Sequence, residues 1–484
     1  MRMSEISIPA GRLLGATDVV DGKAVDAFRG VPYATAARFA PPAPVSSWTG
    51  TRDATTFSPA APQPIGGPLD GLVPGGFTGP TDEHACLTLN VWTPDATADP
   101  ARPVLVWFPG GAFTTGASSQ PVYDGARFCA EQDVVIVTCN YRLGALGFLD
   151  TRDAGGVANC GLRDAIAALE WVRDNIAGFG GDPARVTAFG ESAGGGIVLH
   201  LSASPLTRGL FRGAIVQSGA TFNTLDDDRA ALVLEALLSE LGLEAAKQLL
   251  DVPVDELIRA QAAAAGPLLG TVGMMPFHPM VDGDVLPSAP VDALRSGAAA
   301  GVPLMIGTTT DEMRLFLDLS GAPPERERLC TRVARTLDVE AARAEAILAV
   351  YESALSTTDT NEIWAAFFSD IQMQVPADAM RDAHAAHGPT FSYVFGWPAV
   401  NPLLGACHGI DIPFTFGNFV EGWSDFVGAD DAALALGRAL RTAWATFARV
   451  GNPGWPQAPA TMMLGRDSKV VDDPLRSRLE SISK

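Results

Sequence analysis

Two glycine-rich turns in this sequence carry the residue types that acyl transfer requires. Gly190-Glu191-Ser192-Ala193-Gly194 fits the pattern G-x-S-x-G, which sets a serine on a sharp strand-to-helix turn with its Oγ clear of the backbone. The flanking glycines let neighbouring backbones approach such a turn closely. Upstream, Trp107-Phe108-Pro109-Gly110-Gly111-Ala112-Phe113 ends an apolar run in a turn with little side-chain obstruction. In acyl transfer a carbonyl oxygen becomes an oxyanion, and preorganised backbone N–H groups must point to where that charge develops. The N–H groups of Gly111, Ala112 and Ala193 are the candidate donors. Either pattern alone is weak, because a Gly-rich helix start or a tight inter-strand loop reads the same way. Context has to decide.

That context is a repeated strand-then-helix order. Apolar runs of strand length occur at Val104–Phe108, Val134–Cys139 and Val186–Phe189, the character of strands covered on both faces. Glu5–Ile8, Ala24–Val31, Leu87–Trp92, Leu304–Gly307 and Thr390–Phe395 also read as strands. Asp164–Asn175 reads as a helix with Ala165, Ala168, Leu169 and Val172 on one face. An apolar helix is expected from Ala193 onward, directly after the serine. Ala- and Leu-rich blocks at Asp226–Leu249, Glu325–Ser353 and Asn361–His384 read as helical, whereas Ala61–Glu83 is a Gly- and Pro-rich loop. Alternating strands and helices point to an α/β sheet with helical insertions.

Composition removes several classes of function. The 484 residues hold 34 Lys+Arg against 55 Asp+Glu, a formal charge of −21. Binding to nucleic acid depends on cations that neutralise phosphates, so no nucleic-acid partner is expected. No apolar run approaches the ~18 residues of a membrane span, and none is expected. Met1–Pro9 has no apolar segment of the secretory kind. The 6 cysteines are scattered and form no C-x-x-C, so free buried thiols and a cytoplasmic location are expected. No cluster with metal-ligand spacing occurs, and neither metal nor cofactor is expected.

The motifs together resemble the type-B carboxylesterase (carboxylesterase/cholinesterase) family of the α/β-hydrolase fold. Phe28-Arg29-Gly30-Val31-Pro32-Tyr33-Ala34 is similar to the family's F-x-G-I-P-Y-A, and Cys86-Leu87-Thr88-Leu89-Asn90-Val91 to its C-L-x-L-N-V. Asn140-Tyr141-Arg142-Leu143-Gly144 matches N-Y-R-L-G, and Phe179-Gly180-Gly181-Asp182-Pro183 leads into the serine motif as F-G-G-D-P does. Val281-Asp282-Gly283 with Leu286-Pro287, and Gly451-Asn452-Pro453, follow in family order. The resemblance covers most of the chain. It implies a single α/β-hydrolase domain over 1–484 with a central, mostly parallel sheet flanked by helices. Helical insertions within roughly 222–270 and 320–387 would form a cap around a gorge.

The resemblance also implies the rest of a catalytic triad. Gly307-Thr308-Thr309-Thr310-Asp311-Glu312 is similar to the segment that carries the family's acid, and Cys407-His408-Gly409-Ile410-Asp411 to the one that carries its base. Ser192, Glu312 and His408 then follow the α/β-hydrolase chain order. The implied activity is hydrolysis of small neutral carboxylic esters through an acyl-serine, without a cofactor. Carbamates or amides are the alternative substrates, and a non-catalytic recognition protein is a further alternative that the retained triad opposes. An imidazole base of ordinary basicity should give a kcat/KM that rises through an apparent pKa of about 6 to 7.

Departures from the family pattern are informative. Pro109 stands where an aromatic or imidazole residue commonly precedes the oxyanion glycines. Met313 replaces the Gly expected after the acid, where a positive φ would be costly for Met. Choline esters are not expected as substrates, because Gly76 occupies the position of the cation-binding Trp.

Overall fold

Strand Arg102–Phe108 shows how the sequence builds the molecule. Val104, Val106 and Phe108 pack into one apolar core, and Leu105 and Trp107 into another. Successive side chains of a strand point to opposite faces, so this strand is covered on both. The computed structural model describes every residue except 1, 67–70, 100, 222, 274 and 484. Residues 67–70 of the expected Gly- and Pro-rich loop, and residue 222 at the start of the first expected insertion, thus lie outside the described residues.

The main strands are β1 (Arg2–Ile8), β2 (Gly11–Val20), β3 (Lys23–Pro32), β4 (Thr88–Thr93), β5 (Arg102–Phe108) and β6 (Val135–Cys139). They continue as β7 (Gly181–Glu191), β8 (Gly213–Gln217), β9 (Leu304–Thr309), β10 (Thr390–Phe395), β11 (Ala460–Leu464) and β12 (Lys469–Asp472). With the short strand Thr51–Asp53 beside β2 they form one 13-stranded sheet, ordered β1-β2-β3-β4-β6-β5-β7-β8-β9-β10-β11-β12. The run from β6 to β11 is parallel, and the remaining neighbours in the order pair antiparallel, while Thr51–Asp53 lies parallel to β2. This is the α/β-hydrolase fold. Helix Cys160–Asn175 buries Leu162, Ala165 and Leu169 against one face, and helix Asp431–Val450 buries Leu440, Trp444 and Phe447 against the other. Among the described residues no helix is long and apolar enough to cross a membrane.

Two of the three expected helical blocks break where the chain enters the left-handed region. The first stops as helix Asp227–Leu241 at Gly242, φ 64°, and a second helix, Val254–Leu268, follows. The next splits at Asp338, φ 53°, into Arg326–Leu337 and Ala341–Leu355. The last is continuous from Thr360 to Ala385 but carries a π-helical turn at Asp370–Gln374. Met313 needs no positive φ, because Glu312–Phe316 closes as a 3₁₀ turn. All six cysteines are buried and free, and burial pushes the thiols of Cys160 and Cys86 up to about 11 and about 12.

One buried ion pair fixes how the turn after β6 meets the first large helix. Arg142 Nε and Nη2 donate to Asp164 at 2.8 and 2.7 Å, and Arg142 Nη1 donates to the Ala40 carbonyl at 2.8 Å. The two side chains are 4% and 0% exposed. Removing one partner of such a pair leaves the other charge uncompensated in the interior, at a cost of about 3–5 kcal/mol. Asp164→Asn should therefore lower the free energy of urea unfolding by about that amount. A loss under about 1 kcal/mol would show that Arg142 is satisfied without its carboxylate.

Candidate active site

Ser192 sits between β7 and helix Ala193–Ala203 at φ 55°, ψ −125°. A non-glycine residue held there stores about 1–3 kcal/mol of strain and needs its surroundings to hold it. Its N–H donates to the Gln217 carbonyl at 2.9 Å, and its carbonyl accepts from the Gly196 N–H at 2.9 Å. The flanking glycines are required by contact. A Cβ on Gly194 would lie 1.8 Å from the Phe108 carbonyl oxygen, and one on Gly190 would lie 2.4 Å from the Gly194 carbonyl carbon. The end of β5 is therefore pressed directly against the serine turn.

The Gly110–Phe113 turn starts from that same strand end. Gly111, Ala112 and Phe113 have φ of 115°, 53° and 61°. The Gly111 carbonyl accepts from Thr114 and Thr115 at 3.0 and 2.9 Å, and Tyr141 Oη donates to the Pro109 carbonyl at 2.7 Å. Among the described residues nothing accepts from the N–H groups of Gly111 and Ala112. Ala193 opens its helix, where an N–H has no acceptor within the helix. Pro109 lacks an N–H but contributes through its carbonyl. A Cβ on Gly110 would lie 3.1 Å from Ser192 Cβ, so this turn borders the serine.

Glu312 and His408 meet although they are 96 residues apart. His408 Nδ1 lies 2.6 Å from Glu312 Oε2, and the His408 N–H donates to the Glu312 carbonyl at 3.2 Å. The other carboxylate oxygen of Glu312 accepts from the Thr309 N–H at 2.8 Å. Asp311 points elsewhere. Its Oδ2 accepts from the Ala406 N–H at 3.0 Å and its Oδ1 from Arg314 at 3.0 Å, which ties the His408 loop to the Glu312 turn. No hydrogen bond joins Ser192 Oγ to the imidazole. His408 Nε2 instead lies 3.3 Å from Glu191 Oε1, and the Phe316 ring lies 5.5 Å from the imidazole.

Sequence reasoning did not assign Glu191 a role, because it occupies the unconstrained x of G-x-S-x-G. Its position in that motif was the only available signal. Asp411 is the third carboxylate of the cluster and accepts from Gln217 Nε2 at 2.8 Å. Gln217 Oε1 in turn accepts from the indole of Trp444 at 3.1 Å. Glu191, Glu312, Asp411 and His408 are all buried, so three carboxylates surround one imidazole. Burial by itself would lower the imidazole pKa, but Glu191, and then Glu312, outweigh it and push His408 up to about 9. Burial dominates at the acids, raising Glu191 to about 8 and Asp411 to about 6. The imidazole expected at 6 to 7 from sequence is thus displaced upward, by acids that the sequence left unassigned.

The remaining histidines differ. His200 is buried, with Nδ1 2.7 Å from the Gly196 carbonyl and Nε2 3.1 Å from Thr224 Oγ1, and burial lowers it to about 4. His278 is also lowered to about 4 by burial. Among the described residues no group of three or more His, Cys, Asp or Glu could hold a metal ion.

Residues 2–464 match the model of the carboxylesterase family. The chain is 35% identical to the para-nitrobenzyl esterase of Bacillus subtilis (strain 168), over 96% of this chain and 95% of that one. It is 33% identical to the phenmedipham hydrolase of Pseudarthrobacter oxydans, over 92% of this chain and 90% of that one. A crystal structure of a Geobacillus stearothermophilus carboxylesterase superposes with a TM-score of 0.85 at 35% identity, covering 99% of each chain.

The charge cluster makes one direct prediction. In NMR titrations of 13Cε1-labelled histidine, His408 should keep its proton above pH 7 while His200 and His278 stay neutral down to pH 5. Because the Glu191 carboxylate is the largest influence raising the imidazole, Glu191→Gln should move the His408 titration to lower pH. An unchanged midpoint would show that Glu312 and Asp411 set it without Glu191.

Proposed function

We propose a mechanism for this chain, which belongs to the carboxylesterase family and is a carboxylic ester hydrolase, with Ser192 as nucleophile, His408 as base and Glu312 as orienting acid. Neutral His408 turns Nε2 from Glu191 to Ser192 Oγ and takes its proton as the oxygen attacks the ester carbonyl. Glu312 holds Nδ1–H and stabilises the imidazolium. The N–H groups of Gly111, Ala112 and Ala193 receive the oxyanion. The protonated imidazole then gives its proton to the departing alcohol. Water activated by the same base finally releases the acid from the acyl-serine.

The observation that carries this reading is the buried 2.6 Å contact between Glu312 and His408, beside a serine held at φ 55°. Nothing in the mechanism calls for a metal or cofactor. The substrates would be small neutral esters, since the acidic balance of −21 opposes anionic ones and nucleic acid alike. A second reading, a carbamate or amide as the true substrate, is supported by the likeness to a relative named for hydrolysing phenmedipham. Turnover of an aryl ester against its matched carbamate separates the two. In this reading 1–484 is one hydrolase domain, with the helices within 222–270 and 320–387 as its cap. The buried thiols fit a reducing, cytoplasmic compartment.

Ser192→Ala should lower ester turnover by at least about three orders of magnitude, and an organophosphate should label Ser192 alone. Glu312→Gln should lower kcat by about two to four orders of magnitude, since the imidazole loses its orienting anion. Asp311→Asn should change it less than about tenfold, because an amide oxygen can still accept from the Ala406 N–H. The reverse ranking of the two would move the acid to Asp311. The kcat/KM of the wild type should still be rising above pH 7, and a flat profile from pH 5 to 8 would reject an imidazole base.

A further inference from the structure

We propose that the π-helical turn Asp370–Gln374 is a positioning element of the reaction, clamping the Glu312 turn through Ser369 and Gln374. The inference rests on Glu312 being the orienting acid. In an α-helix, residues five apart are turned about 500° from one another, which puts them on faces about 140° apart. A π-turn, closed here by the Val375 N–H on the Asp370 carbonyl, brings residues five apart back toward one face. Ser369 and Gln374 are such a pair, and both are buried.

Their side chains bracket the acid. Ser369 Oγ accepts from the Met313 N–H at 3.0 Å, immediately after Glu312. Gln374 Oε1 accepts from Thr308 Oγ1 at 2.7 Å, and Gln374 Nε2 donates to the Thr309 carbonyl at 3.0 Å. Thr309 is the residue whose N–H holds the Glu312 carboxylate. The strand end that leads to the acid and the peptide unit after it are thus both held from one helix. On its other side the turn is anchored by Asp370, which accepts from Tyr351 Oη at 2.6 Å and from Arg478 Nη2 at 2.9 Å. Arg478 lies in the C-terminal helix Arg476–Ser483. A residue that merely filled the core could direct its amide to any polar group; both ends of Gln374 go to the strand end that feeds Glu312.

The test is a kinetic comparison of the full-length wild type with Gln374→Met, Ser369→Ala, Thr308→Val and Ser192→Ala, with active sites counted by organophosphate titration. Gln374→Met should lower kcat per titrated site by about 5- to 30-fold with KM within about twofold. Its kcat/KM limb should move to lower pH, because Glu312 is one of the acids, with Glu191 and Asp411, that raise His408. Ser369→Ala and Thr308→Val should shift both quantities in the same directions by less, and Thr308→Val carries the test should Gln374→Met fail to fold. A kcat per site within twofold of wild type and an unmoved limb would overturn the proposal, as would a loss explained wholly by fewer titratable sites. If Ser192→Ala kept its turnover, the triad reading itself would fail, a result separate from these.

Discussion

The tightest constraint in this protein is the contact between the end of β5 and the serine turn. The Phe108 carbonyl oxygen stands where any Cβ on Gly194 would have to be. This contact brings the Gly110–Phe113 turn, which continues β5, alongside Ser192, which follows β7, because the two strands are parallel neighbours. Parallel pairing sets both loops at the same edge of the sheet, and the glycines let them close. Neither loop could be moved alone without opening the other.

Around that contact the molecule gathers more negative charge than its one imidazole can balance. Desolvating three carboxylates is tolerable only when protons and hydrogen bonds are shared among them. Here the sharing is visible in the partners. Glu312 has a peptide N–H and the imidazole, Asp411 has an amide, and Glu191 has little but the imidazole. Burial raises Glu191 to about 8, further than it raises the amide-bonded Asp411, which stands at about 6. Nε2 can face Glu191 as a donor, whereas a bond from the Ser192 hydroxyl would need the same nitrogen as an unprotonated acceptor, so the two arrangements require different protonation of one atom.

What could be read from the sequence follows the range of the interactions concerned. The serine turn and the Gly-Gly-Ala turn are local, and their glycine spacing announces them. The apolar runs of β5, β6 and β9 are legible because a strand covered on both faces has no polar alternation to obscure it. Glu312 and His408 come from loops far apart in the chain, and only the family resemblance joins them. Glu191 and Asp411 lie inside the serine and histidine motifs, but those motifs give them no role, since what makes them matter is their distance from His408. The Asp370–Gln374 turn is hidden for a related reason. Its residues keep helical composition, and one extra residue per turn leaves too small a mark on a 3.6-residue period. Strand β8 is short, and helix Asp431–Val450 is recognisable mainly through the face it buries.

The bond between Trp444 and Gln217 crosses from one hydrophobic core into the charge cluster. An indole can only donate, so the glutamine must offer it the carbonyl end and is left with its NH₂ toward Asp411. A carboxamide is otherwise indifferent to a half-turn, and the reversed form would set oxygen against oxygen at Asp411. A single tryptophan on helix Asp431–Val450 thus acts as a polarity key, its lack of an acceptor turning the donor end of Gln217 to Asp411. The hydrogen bonding of one carboxylate in the charge cluster is thus written partly into the packing of the helix beside it.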